Sequence, residues 1–381
     1  MKMPVSKPLT IKDIARLAGV AKSTVSEVVN NNIRSRVGKA TYEKVKKVID
    51  KYHYEPQSFA RALSMQRTYQ LGFLVSSKAV PGLANVYYGM ALAGVEAVCT
   101  ERGYRCMVTC CDLSDVEKFV IPDKLRRRCV DALVLAGTIS DEAVAMIRKL
   151  GIPVCTIGSS MNGGILQIQG HSSSAYTMVF ERFHANGHRR VLAIYDNEPE
   201  RKKVIAGMDA VNAAHPEDSL LIEIASDCRD SEDCCEFREF RRGARFAAHL
   251  AKTPSGDRAT AVVGNDQVCS GFIQTAFANG LQCPRDFSII SGCDSPLCEW
   301  AAVPISAIEN HIFQHGQLAA NLMIDLLDKC RTEKEVARIA RQQDSVELII
   351  RASDGPVPGL KNNKGKKFSL RRGVKNEQPS M

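Results

Sequence analysis

From Tyr69 onward the chain alternates apolar runs of strand length with amphipathic helical stretches, and no other feature restricts its fold as strongly. Residues 71–75, 105–108, 132–135 and 153–157 form one series of such runs, and residues 191–194, 260–263 and 287–290 form a second. Strands separated by helices have to be joined by right-handed crossovers, so each series predicts a parallel sheet flanked by helices. Two α/β lobes are the economical reading. Ligands of such sheets bind beyond the carboxyl ends of the strands, which points here to a cleft between the lobes.

The first seventy residues follow a different, helical period. Thr10 and Asp13 fit a capping box, so a helix is expected to start after Thr10, with Ile11, Ile14, Ala15 and Ala18 as its apolar stripe and Gly19 at its end. A second helix over residues 21–29 buries Val25, Val28 and Val29, which turns Lys22, Ser23, Ser26, Glu27 and Asn30 outward. A third, longer run faces inward with Val37, Tyr42, Val45, Val48 and Ile49, and outward with Lys39, Lys44, Lys46, Lys47 and Lys51. Two short helices joined by a glycine turn and braced by a third make a helix-turn-helix, whose second helix fits the major groove of DNA. Beyond it, Pro56 can open a helix of about eight residues, too short to hold in water without support.

Charge divides the chain in the same place. Residues 1–70 carry 14 Lys and Arg against 5 Asp and Glu, residues 359–381 carry 7 against 1, and the 288 residues between them are net −6. A basic head on an acidic body is the footprint of a polyanion reader joined to something else. The tail lacks periodicity and is read as disordered; its charge either adds nonspecific DNA affinity or serves as a solubilising extension.

The segments "TIKDIARLAGVAKSTVSEVVNN", "KATYEKVKKVIDKYHYEP" and "FARALS" resemble the DNA-binding head and hinge of the LacI/GalR family of bacterial transcription regulators. The resemblance runs from about residue 10 to residue 352. It implies an all-α helix-turn-helix head (residues 8–55), a hinge helix and linker (56–68), a two-lobed, periplasmic-binding-protein-like sensor with parallel sheets (69–352) and a basic tail (353–381). It further implies a homodimer on a double-stranded, pseudo-palindromic operator, acting as a repressor, with Leu63 wedged between central base pairs. Thr10, Lys22, Ser23, Thr24, Ser26, Glu27, Asn30, Ser58, Arg61 and Leu63 are the expected DNA contacts.

Glu27 departs from the family, which often carries an arginine there that reads guanine. Either Glu27 accepts a hydrogen bond from cytosine N4, or it pairs with Lys22 or Lys12 and stays off the bases. The second is the commoner fate of an exposed glutamate.

In the body, "NVYYGMALAGVE", "FHANGHRRVLAI", "VVGNDQVCSGF" and "CPRDFSIISGCDSP" are similar to family signatures. Carried over, Tyr87, Tyr88, Asn265 and Asp294 occupy effector-pocket positions, where carboxylate and amide groups beside aromatic faces suit a sugar-like small molecule. Asp266 is as readily structural. Trp300, the only tryptophan, either lines the cleft or sits in a core. Two departures weaken the pocket: Val204 stands where the family has a ligand-binding arginine, and His171 where it has an aspartate. The aromatic expected after the second-lobe loop falls at Phe237 or Phe240.

Other classes fit less well. No GxGxxG follows the first strand and neither a GxxxxGK[ST] loop nor a GxSxG elbow is present, which argues against an enzyme. The fourteen cysteines are scattered without a CxxC, so reduced thiols rather than zinc are expected, and no cofactor is called for. An N-terminus without an apolar run places the chain in the cytoplasm and sets aside a periplasmic solute binder.

Overall fold

A computed structural model describes residues 9–29, 37–54, 67–76, 85–113, 117, 119–137, 139–158, 166–168, 170, 172–195, 198–225, 237–341 and 347–357. Asn30, Ser58, Arg61, Leu63, His171 and the tail after residue 357 lie outside them.

The head is built from α1 (Ile11–Ala18), α2 (Lys22–Val29) and α3 (Lys39–Lys51). Its capping box forms as expected: Asp13 Oδ2 accepts from the Thr10 N–H at 2.9 Å, and Thr10 Oγ1 accepts from the Asp13 N–H at 3.4 Å. Gly19 ends α1 in the left-handed region (φ +60°), where a side chain would be strained. Ile14, Ala18, Val25 and Val45 are fully buried, with Ala15, Val28 and Tyr54 nearly so. Of the inward face foreseen for α3, only Val45 is fully covered, while Tyr42, Val48 and Ile49 are half-buried.

The chain divides into two compact units, one drawn from residues 1–82, 88–168 and 313–341, the head included, and the other from residues 83–87, 169–312 and 342–381. The first holds β1 (Gln70–Ser76), α4 (Val86–Glu101), β2 (Arg105–Cys111), α5 (Asp123–Arg126), β3 (Ala132–Ala136), α6 (Asp141–Arg148), β4 (Val154–Ile157), β5 (Leu166–Ile168), α12 (Ile312–Leu327) and α13 (Glu333–Ala340). Its sheet is parallel, ordered β2-β1-β3-β4-β5, and β1 and β3 are apolar on both faces because helices cover both. Two carboxylates clamp the approach to β1: Asp131 accepts from the backbone N–H groups of Thr68 and Tyr69, and Asp328 accepts from Arg67 Nη1 at 2.6 Å.

The second unit holds α7 (Ser173–Ala185), β6 (Arg190–Ile194), α8 (Glu198–Ala214), β7 (Leu221–Ala225), α9 (Arg238–Lys252), β8 (Ala261–Gly264), α10 (Asp266–Ala278), β9 (Ser288–Ser291), α11 (Pro296–Trp300), β10 (Ser306–Glu309) and β11 (Glu347–Ile349). Its sheet runs β11-β10-β9-β8-β6-β7, parallel except for the antiparallel edge strand β11. Leaving β11 aside, the winding repeats that of the first unit, so the strand order reverses between β1 and β3 in one and between β6 and β8 in the other. Crevices open at such reversals.

Each unit contains a pair of helices that touch backbone to backbone through reciprocal glycines. In the first, a Cβ on Gly94 of α4 would lie 2.0 Å from the Phe313 carbonyl oxygen, and one on Gly316 of α12 would lie 2.1 Å from that of Ala91. In the second, Gly243 of α9 faces the Val268 carbonyl and Gly271 of α10 faces that of Phe240, each at 2.0 Å.

Residues 353–357, assigned from sequence to the tail, are built into the second unit. Ser353 is fully buried and its hydroxyl donates to the Ile289 carbonyl at 2.6 Å. His188, also fully buried, lies with Nε2 3.0 Å from the Gly355 carbonyl and Nδ1 3.0 Å from Thr260 Oγ1. A carbonyl only accepts, so the neutral Nε2–H tautomer satisfies this site, with the threonine hydroxyl donating to Nδ1. Burial holds the imidazole below its ordinary value of 6.5. The neutral form is therefore favoured by the fold, and the stability it gives is present above about pH 6.5 and is lost as pH falls toward the lower folded value. We expect this unit to lose stability, read as a falling thermal midpoint, as pH drops below about 6.5, with a slope of at most about 1.4 kcal/mol per pH unit from this one group. The substitution His188→Asn should flatten that part of the profile, and an unaltered profile would refute the assignment.

Candidate DNA-binding head and ligand-contact residues

Burial of Val25 and Val28 fixes the rotation of α2. Lys22 and Ser23 are thereby exposed, and Thr24, Ser26 and Glu27 are half-buried on the sides flanking the core. Lys39, Lys44, Lys46, Lys47 and Lys51 all project from α3 into solvent, as the periodicity requires. Lys44 Nζ reaches the turn between the first two helices, 3.6 Å from where a Gly19 Cβ would be. Thr10 is engaged in its cap, donating from Oγ1 to Asp13 Oδ2 at 2.7 Å, at the amino end of α1. Glu27 forms no ion pair among the described residues, so the pairing with Lys22 or Lys12 foreseen from the sequence is not made there; Asp13 and Arg16 do pair in this head.

The effector candidates are divided between the units, Tyr88 in the first and Tyr87, Asn265, Asp294 and Trp300 in the second. Tyr87 and Tyr88 open α4, half-buried, with the Tyr87 N–H donating to Asn85 Oδ1 at 3.0 Å. Asn265 stands at the strand reversal beside β8 and caps α10: its Oδ1 accepts from the Val268 N–H at 2.9 Å, and its Nδ2 donates to Glu239 Oε2 at 3.0 Å. Glu239 is in turn gripped by Arg242, whose Nη1 donates to both carboxylate oxygens at 2.9 and 2.8 Å. Asp294 receives Arg351 bidentately, Nη1 at 2.9 Å and Nη2 at 2.8 Å, and Arg351 Nη1 also donates to the Ile305 carbonyl. Both amide ends of Asn265 and both oxygens of Asp294 are thus occupied by the protein itself.

Asp266 serves the fold: it is 5% exposed, accepts from Ser295 Oγ at 2.6 Å, and burial raises its carboxyl above the usual range. Trp300 is 74% exposed, which removes the core alternative. Val204 is fully buried within the core of the second unit, so the position where the family carries an arginine is given over to packing. Arg201, Lys202 and Lys203 pair along their own helix with Glu198 or Glu200. At the end of β6 a polar cluster appears that the periodicity did not reveal. Tyr176 donates to Glu200 Oε1 at 2.6 Å, and the Tyr176 and Tyr195 hydroxyls lie 3.0 Å apart. A Cβ on Gly292, after β9, would fall 2.4 Å from the Tyr195 hydroxyl, so the phenols press directly on that backbone. Phe237 is 55% exposed just ahead of α9, whereas Phe240 lies against Gly271 through its backbone.

Among known proteins, the model described as "Bacterial regulatory proteins, lacI family" matches residues 10–57, and that of the periplasmic binding protein-like domain matches residues 180–353. The chain belongs to the LacI family of bacterial regulatory proteins. Its LacI-family relatives include the ribose operon repressor of Escherichia coli strain K12, 28% identical over 322 residues that make up 83% of this chain and 92% of that protein. Catabolite control protein A of Staphylococcus xylosus is 26% identical over 325 residues, 84% of this chain and 93% of the relative. The fold is that of the lac repressor dimer bound to operator and the anti-inducer ONPF, with a TM-score of 0.71 at 20% identity over 92% of this chain and 100% of that one. Like those LacI-family proteins, this chain joins a helix-turn-helix head to a two-unit α/β body. Among the described residues no helix is long and apolar enough to cross a membrane.

Proposed function

We propose that this protein is a sequence-specific transcriptional repressor that binds a pseudo-palindromic double-stranded operator as a homodimer in the cytoplasm. The observation that carries the reading is the presentation of α2: its apolar side is buried in the core of the head, Lys22 and Ser23 are exposed, Ser26 and Glu27 are half-exposed, and α3 adds Lys39, Lys44, Lys46, Lys47 and Lys51 in solvent. We assign the head to residues 8–55, the hinge to residues 56–68 and the sensor body to residue 69 onward, extended here to residue 357. Asn30, Ser58, Arg61 and Leu63 complete the proposed DNA surface with Thr10 and Thr24.

The test is a gel shift against the upstream region of its own gene with bulk competitor present. A Kd of about 10⁻⁸ M or tighter at physiological salt is expected, at least about a thousandfold below nonspecific binding. Each phosphate contact contributes about −0.9 to the slope of log K against log salt, so Lys22→Ala should reduce that slope by about one unit. A monomer with no preference over competitor would overturn the proposal.

Within this reading Tyr87, Tyr88, Asn265, Asp294 and Trp300 contact a sugar-like effector whose differential affinity for two states shifts the body between them. A second reading, an effector-independent repressor, is favoured by the occupation of Asp294 by Arg351 and by the burial of Val204. Calorimetric titration with ribose and other sugars separates the two. Binding that is lost in Asp294→Asn supports the first, and no heat with any sugar supports the second.

A further inference from the structure

We infer that Glu27 reads a cytosine in each operator half-site, accepting a hydrogen bond from its exocyclic amine. The inference rests on the regulator reading above. Glu27 follows Ser26 on the half-exposed side of α2, while Val25 and Val28 on the opposite side are locked in the head core. Rotation of the helix to withdraw the carboxylate is therefore closed off. The helix has no basic residue in its last turn, and among the described residues no lysine or arginine forms an ion pair with Glu27. A carboxylate on the surface that meets a polyanion opposes binding unless it finds a donor. It is thus a selector: it permits only those base edges that offer one.

The four base pairs differ in what they offer in the major groove. Guanine presents two acceptors, N7 and O6, and both repel a carboxylate. Thymine presents an acceptor and a methyl group. Adenine has an amine, but N7 beside it is an acceptor that leaves the second carboxylate oxygen unfavourably placed. Cytosine presents its N4 amine with an acceptor, O6 of the paired guanine, on one side only and a C5–H on the other, whereas the adenine amine is flanked by N7 and thymine O4, so cytosine best suits an acceptor-only side chain. Rejection of guanine contributes to discrimination together with attraction to cytosine. Lys22, exposed on the same helix, supplies the phosphate attraction that Glu27 gives up, and Ser23 and Ser26 are short enough to let the helix approach closely.

Selection of bound duplexes from a random library, run in parallel with the wild type, Glu27→Gln and Glu27→Arg, tests this. The wild type should enrich cytosine over any other base by about tenfold at one position in each half-site. Glu27→Arg should move that position to guanine and Glu27→Gln toward adenine, following the bidentate edges those side chains match. Circular dichroism of the three proteins should coincide, since the position lies outside the fully buried core. The same preferred base in all three proteins would overturn the assignment of Glu27 and leave the regulator reading standing. A wild type that enriches no duplex at all would overturn both.

Discussion

Ile14→Ala is expected to abolish operator binding by unfolding the head while the thermal transition of the second unit stays in place. Ile14 is fully buried at the centre of a core whose other members are small: Ala15, Ala18, Val25, Val28 and Val45, with Tyr54 at its edge. Truncating a buried isoleucine costs about 2–5 kcal/mol, because the lost transfer energy is joined by the cavity left behind. A domain of about 45 residues holds roughly 0.05–0.15 kcal/mol per residue, or about 2–7 kcal/mol in all. The two figures are of one size, so the substitution consumes most or all of the head's stability. Without the core, α2 is too short to persist, and the groups it presents lose their arrangement. Fluorescence anisotropy with operator DNA and calorimetry of the full chain check the two halves of the expectation. Retained binding at wild-type affinity would show that the head does not depend on this core.

The second large effect is expected at the crossing of α9 and α10. A Cβ on Gly271 would sit 2.0 Å from the Phe240 carbonyl oxygen, and one on Gly243 at the same distance from that of Val268. Backbone oxygens cannot rotate away as a side chain can, so either alanine forces the helices apart. The separation opens the core holding Ala247, Leu250, Val268 and Phe272. Overpacking of this kind costs about 1–3 kcal/mol and sometimes more, and Gly271→Ala is placed at the upper end because the obstacle is main chain. Once one alanine has parted the helices, the second meets less resistance. The double variant Gly243→Ala, Gly271→Ala should therefore fall short of the sum of the singles by about 1 kcal/mol or more, since contacting sites couple. Denaturant midpoints of the three variants measure this, and strict additivity would mean that the helices do not move as one.

Much of this was readable from the sequence, and the exceptions share a cause. The capping box at Thr10, the turn at Gly19 and the buried face of α2 follow from local spacing alone, and all are found. The strands with four or more apolar residues in a run are likewise present. β5 and β11, three residues each, carry too little pattern to stand out, and β7 alternates with its outward residues exposed. In the candidate ligand residues, the positions of Asn265 and Asp294 at strand ends were legible, but their partners were not. Glu239 lies 26 residues from Asn265, and Arg351 lies 57 from Asp294. No local periodicity encodes a polar contact across such a distance. For the same reason the sequence suggested a carboxylate awaiting a ligand, where folding supplies a guanidinium. Glu27 is the opposite case: a local rule for surface glutamates favoured a lysine partner, and the described residues of the head provide none.

Neither body unit is continuous along the chain, and this sets an order of events on the ribosome. The head is complete once residue 54 has been made, whereas the first unit awaits α12 and α13 and the second awaits Ser353 and Gly355 near the far end of the described chain. A nascent molecule therefore carries a finished, basic head for nearly the whole of its synthesis, while the parts that would govern it remain open. Any message cut short before about codon 340 would release heads whose body units lack their closing segments.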